Sequence, residues 1–345
     1  MSATLTEAVN PDGRHLPRAV PGLALTVVIA VVASGLGHLV PLVGGPVFGV
    51  VLGAVLAVVL RPGDVLRHGL AFAGKYVLQG AIVLLGTGLS LAQVVRVGGG
   101  SLPVMLGTLL VALTGAAVFG RLLGVHRDAR TLIGVGTGIC GASAIAAVTS
   151  VVTMAEADVA YAIGTIFAFN VVGVLLFPAL GHLLGLSQHA FGLWSGTAIN
   201  DTSSVVAAAY AYGPVAGGYG VVVKLTRSLM IIPITIALSA LSARRASAPG
   251  GERGPFPWRR VLPLFMVGFV AASALDTVGV IPGAWHAPLT TLGTFLITVA
   301  LAGIGLSTHL GTLRRLGSRP LLLGAVLWVA VGATSLLLQA ATGTL

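Results

Sequence analysis

Of the 345 residues, 56% are hydrophobic and 8% charged, and 19 Lys and Arg against 9 Asp and Glu give a formal charge of +10. So little charge cannot cover a water-soluble domain of this size. The apolar runs are continuous rather than alternating, which excludes a β-barrel. The basic residues lie between these runs without an aromatic-studded patch, which argues against nucleic acid as a partner. The single cysteine, Cys140, excludes an internal disulfide framework and a cysteine-based zinc cage.

The expected partner is the lipid bilayer, whose core takes about 20 apolar residues per helix. Eleven such stretches predict an all-α polytopic bundle: 20–40, 41–60, 70–90, 101–123, 131–154, 158–184, 190–212, 214–241, 261–281, 288–308 and 320–341. Residues 1–19 form a polar N-terminal segment. The first apolar stretch lacks a small-residue cleavage site, so it reads as a retained helix. The linker 242–260, rich in Ser, Pro, Gly and Arg, separates a first part (20–241) from a second (261–345).

Charge placement orients this layout. With the N-terminus inside, 16 of the 19 Lys and Arg fall on the cytoplasmic side, from Arg14 and Arg18 through Arg121, Arg127 and Arg130 to Arg314, Arg315 and Arg319. Arg96 falls outside, and Lys224 and Arg227 lie within a span. Such a bias is the orienting signal expected when Lys and Arg resist translocation. Trp258 and Trp285 flank one span at opposite ends, where amphipathic rings favour the interface.

Residues 84–116 align without gaps on 301–333, with 13 of 33 positions identical, including Gly86, Gly88, Leu89 and Ser90 with Gly303, Gly305, Leu306 and Ser307. An odd number of spans separates the copies, so they point in opposite directions, and inverted repeats are a transporter signature. A second match sets Gly136, Thr137, Ile139 and Ser143 against Gly196, Thr197, Ile199 and Ser203. The span count makes these two segments parallel, which conflicts with an inverted scheme unless one is re-entrant.

Both segments of that second match carry polar chemistry. Gly134-Val-Gly-Thr-Gly-Ile-Cys-Gly-Ala-Ser143 holds four glycines in eight positions, and each glycine weakens a helix by about 1 kcal/mol. Broken helix at membrane depth is tolerated only within protein or beside a water-filled cavity. A break here aims the amides of Gly141, Ala142 and Ser143 into the bundle, an arrangement that favours an anion. Close packing through small residues, as at Gly45, Gly49 and Gly53, is the competing reading. In the second segment Asn200, Asp201, Thr202, Ser203 and Ser204 are five consecutive polar residues, and an acid at mid-membrane is a functional candidate by default. Asp201 serves a coupling ion, or only pairs with a buried base, or the segment is an ordinary loop at the membrane edge.

Lys224 and Arg227 are the candidate bases, three residues apart and so on one helical face. An arginine fork and a lysine point charge suit a tetrahedral oxyanion. Their alternative role is structural, with one base neutralising Asp201. Cys140 reads as a packing residue, and His38, His182, His189 and His309 sit near span ends.

Three motifs together resemble one family: Gly138-Ile-Cys-Gly-Ala-Ser-Ala-Ile-Ala-Ala147, Asp201 with Val205-Val-Ala-Ala208, and Val223-Lys-Leu-Thr-Arg227. They resemble the YeiH-type bacterial inner-membrane proteins, named as sulfate exporters, over roughly residues 20 to 341. The resemblance implies a bundle related to bile-acid symporters and cation–proton antiporter-like transporters, with inverted repeats, helix breaks near the midplane and homodimeric assembly. The family's acidic motif usually carries a His before the acid. This chain has Asn200, which leaves Asp201 as the main titratable candidate.

The expected function is secondary transport of a small anion, sulfate or a related oxyanion or organosulfonate. Gly141, Ala142, Ser143, Thr202, Ser203, Ser204, Lys224 and Arg227 would hold the solute. Asp201 with Asn200 would handle a coupling proton or sodium ion. A passive anion channel is the alternative. An intramembrane enzyme is disfavoured, because neither His-Glu-x-x-His nor a nucleophile–base dyad nor paired aspartates occur. No cofactor or metal is expected.

Overall fold

The computed structural model describes residues 16–39, 44–60, 62–150, 152–245, 264–307 and 318–345. The expected N-terminal segment up to residue 15, linker residues 246–260 with Trp258, and residues 308–317 with His309, Arg314 and Arg315 lie outside them, as does Arg61. The described residues are helical throughout, without a strand.

Seven helical stretches are long and apolar enough to cross a membrane, and Gly44–Leu60 and Leu264–Thr277 are shorter apolar helices. In chain order, α1 (Leu16–Leu39) and α2 (Gly44–Leu60) precede a helix built from α3 (Asp64–Phe72), a π-turn (Ala73–Val77) and α4 (Leu78–Gly86). Then come α5 (Leu91–Leu122), α6 (Arg127–Gly138), α7 (Ala142–Thr149), α8 (Glu156–Leu183), α9 (Gln188–Ala198) and α10 (Thr202–Tyr212). α11 (Pro214–Ser228), α12 (Ile231–Arg245), α13 (Leu264–Thr277), α14 (His286–Leu306) and α15 (Ser318–Thr342) complete the chain. α12 runs four residues into the stretch expected as linker.

α5 begins ten residues before its expected start because Ser90 and Gln93 form a reciprocal capping box. Its glycine run then continues as helix, with Gly98 packed on the Thr226 side chain. Small residues set the closest contacts elsewhere. A Cβ on Gly53 of α2 would lie 2.5 Å from the Ala302 carbonyl of α14, so only glycine permits that approach.

The first repeat is inverted in space as expected. Along α5, Gly107, Gly115 and Gly120 pack in turn on Leu338, Leu327 and Leu323 of α15, an antiparallel pairing. The second repeat overturns the span count. His126, just before α6, bonds Asp158 at the start of α8 at 2.5 Å. The entry to α6 and the exit from α7 therefore share one end of the bundle. At the other end, Tyr212 Oη closes α10 by donating to the Leu186 carbonyl at 2.5 Å, and Gln188 Oε1 accepts from the Val215 and Ala216 amides.

Residues 127–149 and 188–212 are thus re-entrant hairpins, not spans. α8 joins them, and its 28 residues rise about 42 Å, enough to cross the bilayer core. The half-helices of 12, 8, 11 and 11 residues are each too short to do so. The hairpins enter from opposite ends, so the segments expected to run parallel are inverted copies.

Candidate functional site

The two hairpin tips meet beside α11, whose Lys224 and Arg227 reach both of them. Lys224 lies ten residues into α11, about 15 Å from its start. Its ammonium donates to the Ile139 carbonyl at 2.7 Å and to the Ile199 carbonyl at 2.9 Å. Arg227 donates from Nη2 to the Thr137 carbonyl at 3.0 Å and from Nη1 to the Thr197 carbonyl. Both side chains are fully buried.

These four acceptors are two pairs of repeat-equivalent positions. Thr137 matches Thr197 and Ile139 matches Ile199, so each base spans the local symmetry and bonds the same position in both tips. α6 ends at Gly138 and α9 at Ala198, leaving terminal carbonyls without helical partners and the negative ends of two dipoles at the centre of the bundle. Unpaired carbonyls in a dry interior are costly, and a cation is the donor that also answers the dipole. Sequence reasoning expected both bases to grip solute. In the structure Lys224 and Arg227 spend these donors on the hairpin ends, and neither forms an ion pair with Asp201 among the described residues.

Past each break the chain turns back as α7 and α10. Gly141 takes φ +69°, a left-handed conformation that favours glycine. A Cβ there would lie 3.4 Å from the Cβ of Asp201, its own repeat equivalent, so the tips touch at matching positions. The first intrahelical bonds are Ile145 N–H to Gly141 O and Val205 N–H to Asp201 O. The amides of Ala142 and Ser143, like those of Thr202 and Ser203, therefore precede the helical ladder. Ala142 and Ser143 are exposed, whereas Thr202, Ser203 and Ser204 are half-buried.

Asp201 accepts a hydrogen bond from the Ser203 hydroxyl, and its amide donates to Asn170 Oδ1 at 3.1 Å. Asp201, Ser203, Ser204 and Asn170 line one end of a cavity of about 280 Å³, walled by apolar residues of α2, α8 and α14. Asn200 is buried, and its Oδ1 has no hydrogen-bond partner among the described residues. The structure thus gathers Gly141, Asn200, Asp201 and Ser203 with Lys224 and Arg227 at the tips. Ala142 and Ser143 lie beside this group but outside the cavity lining.

Asn170 was missed, although a lone amide midway along an otherwise apolar span was its visible signal. His126 with Asp158 and Asp276 with His286 were missed as pairs, since each links residues of separate helices. Cys140 is buried, in keeping with packing.

A family described as conserved hypothetical protein 698 matches residues 21–324. A UPF0324 membrane protein of Streptococcus pyogenes serotype M6 is 43% identical over 337 residues, covering 95% of this chain and 98% of the relative. A second from Streptococcus agalactiae serotype V is 40% identical, covering 94% and 98%. A third from Fusobacterium nucleatum is 38% identical, covering 93% and 98%. With nearly full-length relatives named as membrane proteins and the motifs at both hairpin tips in place, the chain belongs to the YeiH-type, UPF0324 family of membrane proteins.

Proposed function

We propose that the chain is a secondary transporter of a small anion, working by alternating access at the hairpin tips. One observation carries this reading: two hairpins enter from opposite faces and stop against each other at mid-depth. A solute arriving from one face meets the opposite hairpin as its barrier, so a small displacement of one tip exchanges which face is open. A permanent pore has no need of two opposed barriers, which favours a carrier over a channel.

The anion, sulfate or a related oxyanion or organosulfonate, is held by the free amides of Ala142 and Ser143 and by the amides and hydroxyls of Thr202, Ser203 and Ser204. Positive helix ends meet there while the negative ends are covered by Lys224 and Arg227. The two bases supply field and position rather than direct contact. Asp201, in the cavity with Asn170 and next to Asn200, takes the coupling proton or sodium ion. The basic end faces the cytoplasm of a bacterial inner membrane, N-terminus inside. Nine crossing helices and two hairpins replace eleven crossings, the relation to bile-acid symporters and cation–proton antiporter-like transporters is retained, and the assembly is a homodimer.

The test is sulfate uptake into proteoliposomes under an imposed pH gradient, comparing wild type with Asp201→Asn. The expected outcome is saturable uptake with counterflow in wild type. The variant should retain sulfate exchange but lose its dependence on the gradient. Uptake without saturation or counterflow would mean a channel, and gradient-driven uptake by Asp201→Asn would remove the assigned coupling role.

A further inference from the structure

A second built feature lies away from the tips, at the basic end of the first hairpin. A cleft of about 340 Å³ runs between α5, α6 and α12. Its walls include Leu113, Ala117 and Leu238, and its mouth is ringed by Arg121, Arg127 and Arg130. It reaches Gly134 and Val135, about 10 Å along α6 from Arg127.

The arginines are placed rather than scattered. Arg130 lays its stem across α5, where a Cβ on Gly120 would meet Arg130 Cβ at 2.8 Å. Arg121 and Arg127 are exposed and Arg130 half-buried. None of the three forms an ion pair or a side-chain hydrogen bond among the described residues. Of the nearby acids, Asp158 is bonded to His126, and Asp128 lies with that pair, their ligand atoms within 4.8 Å of one another. Among the described residues no acidic side chain lines the cleft.

We infer that this cleft binds a phospholipid with an anionic headgroup, its phosphate at the three arginines and an acyl chain along the apolar walls. Guanidinium groups bind phosphate oxygens in paired hydrogen bonds. A basic mouth on a greasy cleft between helices matches such a lipid at both ends. A soluble oxyanion would satisfy the arginines and leave the apolar length unused. The bound lipid packs against α6 and so bears on the half-helix whose end Lys224 and Arg227 hold.

The experiment is native mass spectrometry of the purified, delipidated protein in neutral detergent, titrated with phosphatidylglycerol, phosphatidylcholine or inorganic phosphate. Wild type should bind phosphatidylglycerol about tenfold or more tightly than phosphatidylcholine. The triple variant Arg121→Gln, Arg127→Gln, Arg130→Gln should lose that preference. Ala117→Trp, which fills the cleft but keeps the arginines, should lose the bound lipid while remaining folded. Equal binding of both lipids, or an unchanged preference in both variants, would overturn the proposal. So would displacement of phosphatidylglycerol by equimolar inorganic phosphate, which would assign the arginines to a soluble anion.

Discussion

The two hairpins are copies of one motif, yet they are held differently. α9 and α10 are closed at their base by Tyr212 and Gln188. Further up, Trp194 Nε1 donates to the Gly332 carbonyl and Thr197 bonds Ser335, so α15 braces α9 from the side. Every residue of α9 from Ala190 to Ala198 is buried. The first hairpin has a buried α6 but a return helix of eight residues with Ala142, Ser143 and Ala146 exposed. A short helix with one open face and few packed neighbours is the part of a fold that opens at least cost. On the proposed mechanism, the copy that carries Asp201 is expected to stay fixed and the copy that carries the glycine break to move against it.

The sharpest way to break this comparison is to ask on which face each hairpin starts and ends. With Cys140 replaced by Ala, single cysteines at Arg127 and Glu156 should react with a membrane-impermeant maleimide from the same side. A cysteine at Gln188 should react from the other. If 127–149 crossed the membrane, Arg127→Cys and Glu156→Cys would label from opposite sides. The expected effect is all or none.

Next in size is the shared brace. Arg227→Ala removes two bonds from a charged donor to buried carbonyls, one in each tip, each worth about 1.5–3 kcal/mol. The expected result is a loss of about 3 kcal/mol or more, read as a lowered unfolding midpoint in detergent, with the loss shared by both hairpins. Thr197→Val, which removes the tie of the second hairpin to Ser335 together with the hydroxyl's local bonds to the Leu193 and Trp194 carbonyls of α9, should cost about 1 kcal/mol. Equal losses in the two variants would mean that Arg227 is not the common brace.

Much of this was legible in residues. Continuous apolar runs identified the bundle, and the residue 84–116 repeat predicted the antiparallel α5 and α15 pair. The glycines of 134–141 and the polar run 200–204 marked both tips. What stayed hidden has a physical cause. Re-entry changes the side of 150–157 and 184–189 only, and those stretches contain no Lys or Arg. The positive-inside bias is therefore identical for eleven crossings and for nine crossings with two hairpins. The work of Lys224 and Arg227 was equally invisible, because their partners are backbone carbonyls, which every residue carries. The register of Thr137 with Thr197 held the clue, since one base can serve two inverted copies only at matching positions.

The smallest effect tests the tip itself. Gly141 and Asp201 occupy the same position in the two copies, yet one has φ +69° and the other −97°. An alanine at position 141 would carry a Cβ 3.3 Å from Ile166 Cγ2 and 3.4 Å from Asp201 Cβ, in a backbone region that L-residues avoid. Such strain costs about 1–3 kcal/mol, so Gly141→Ala should unfold at a lower midpoint than wild type. Asp201→Asn keeps size and backbone and should shift the midpoint by less than about 1 kcal/mol, apart from the bond that Ser203 donates. If the order were reversed, the second tip would depend on its charge more than the first depends on its glycine. The moving part would then have to be sought at Asp201 rather than at α7.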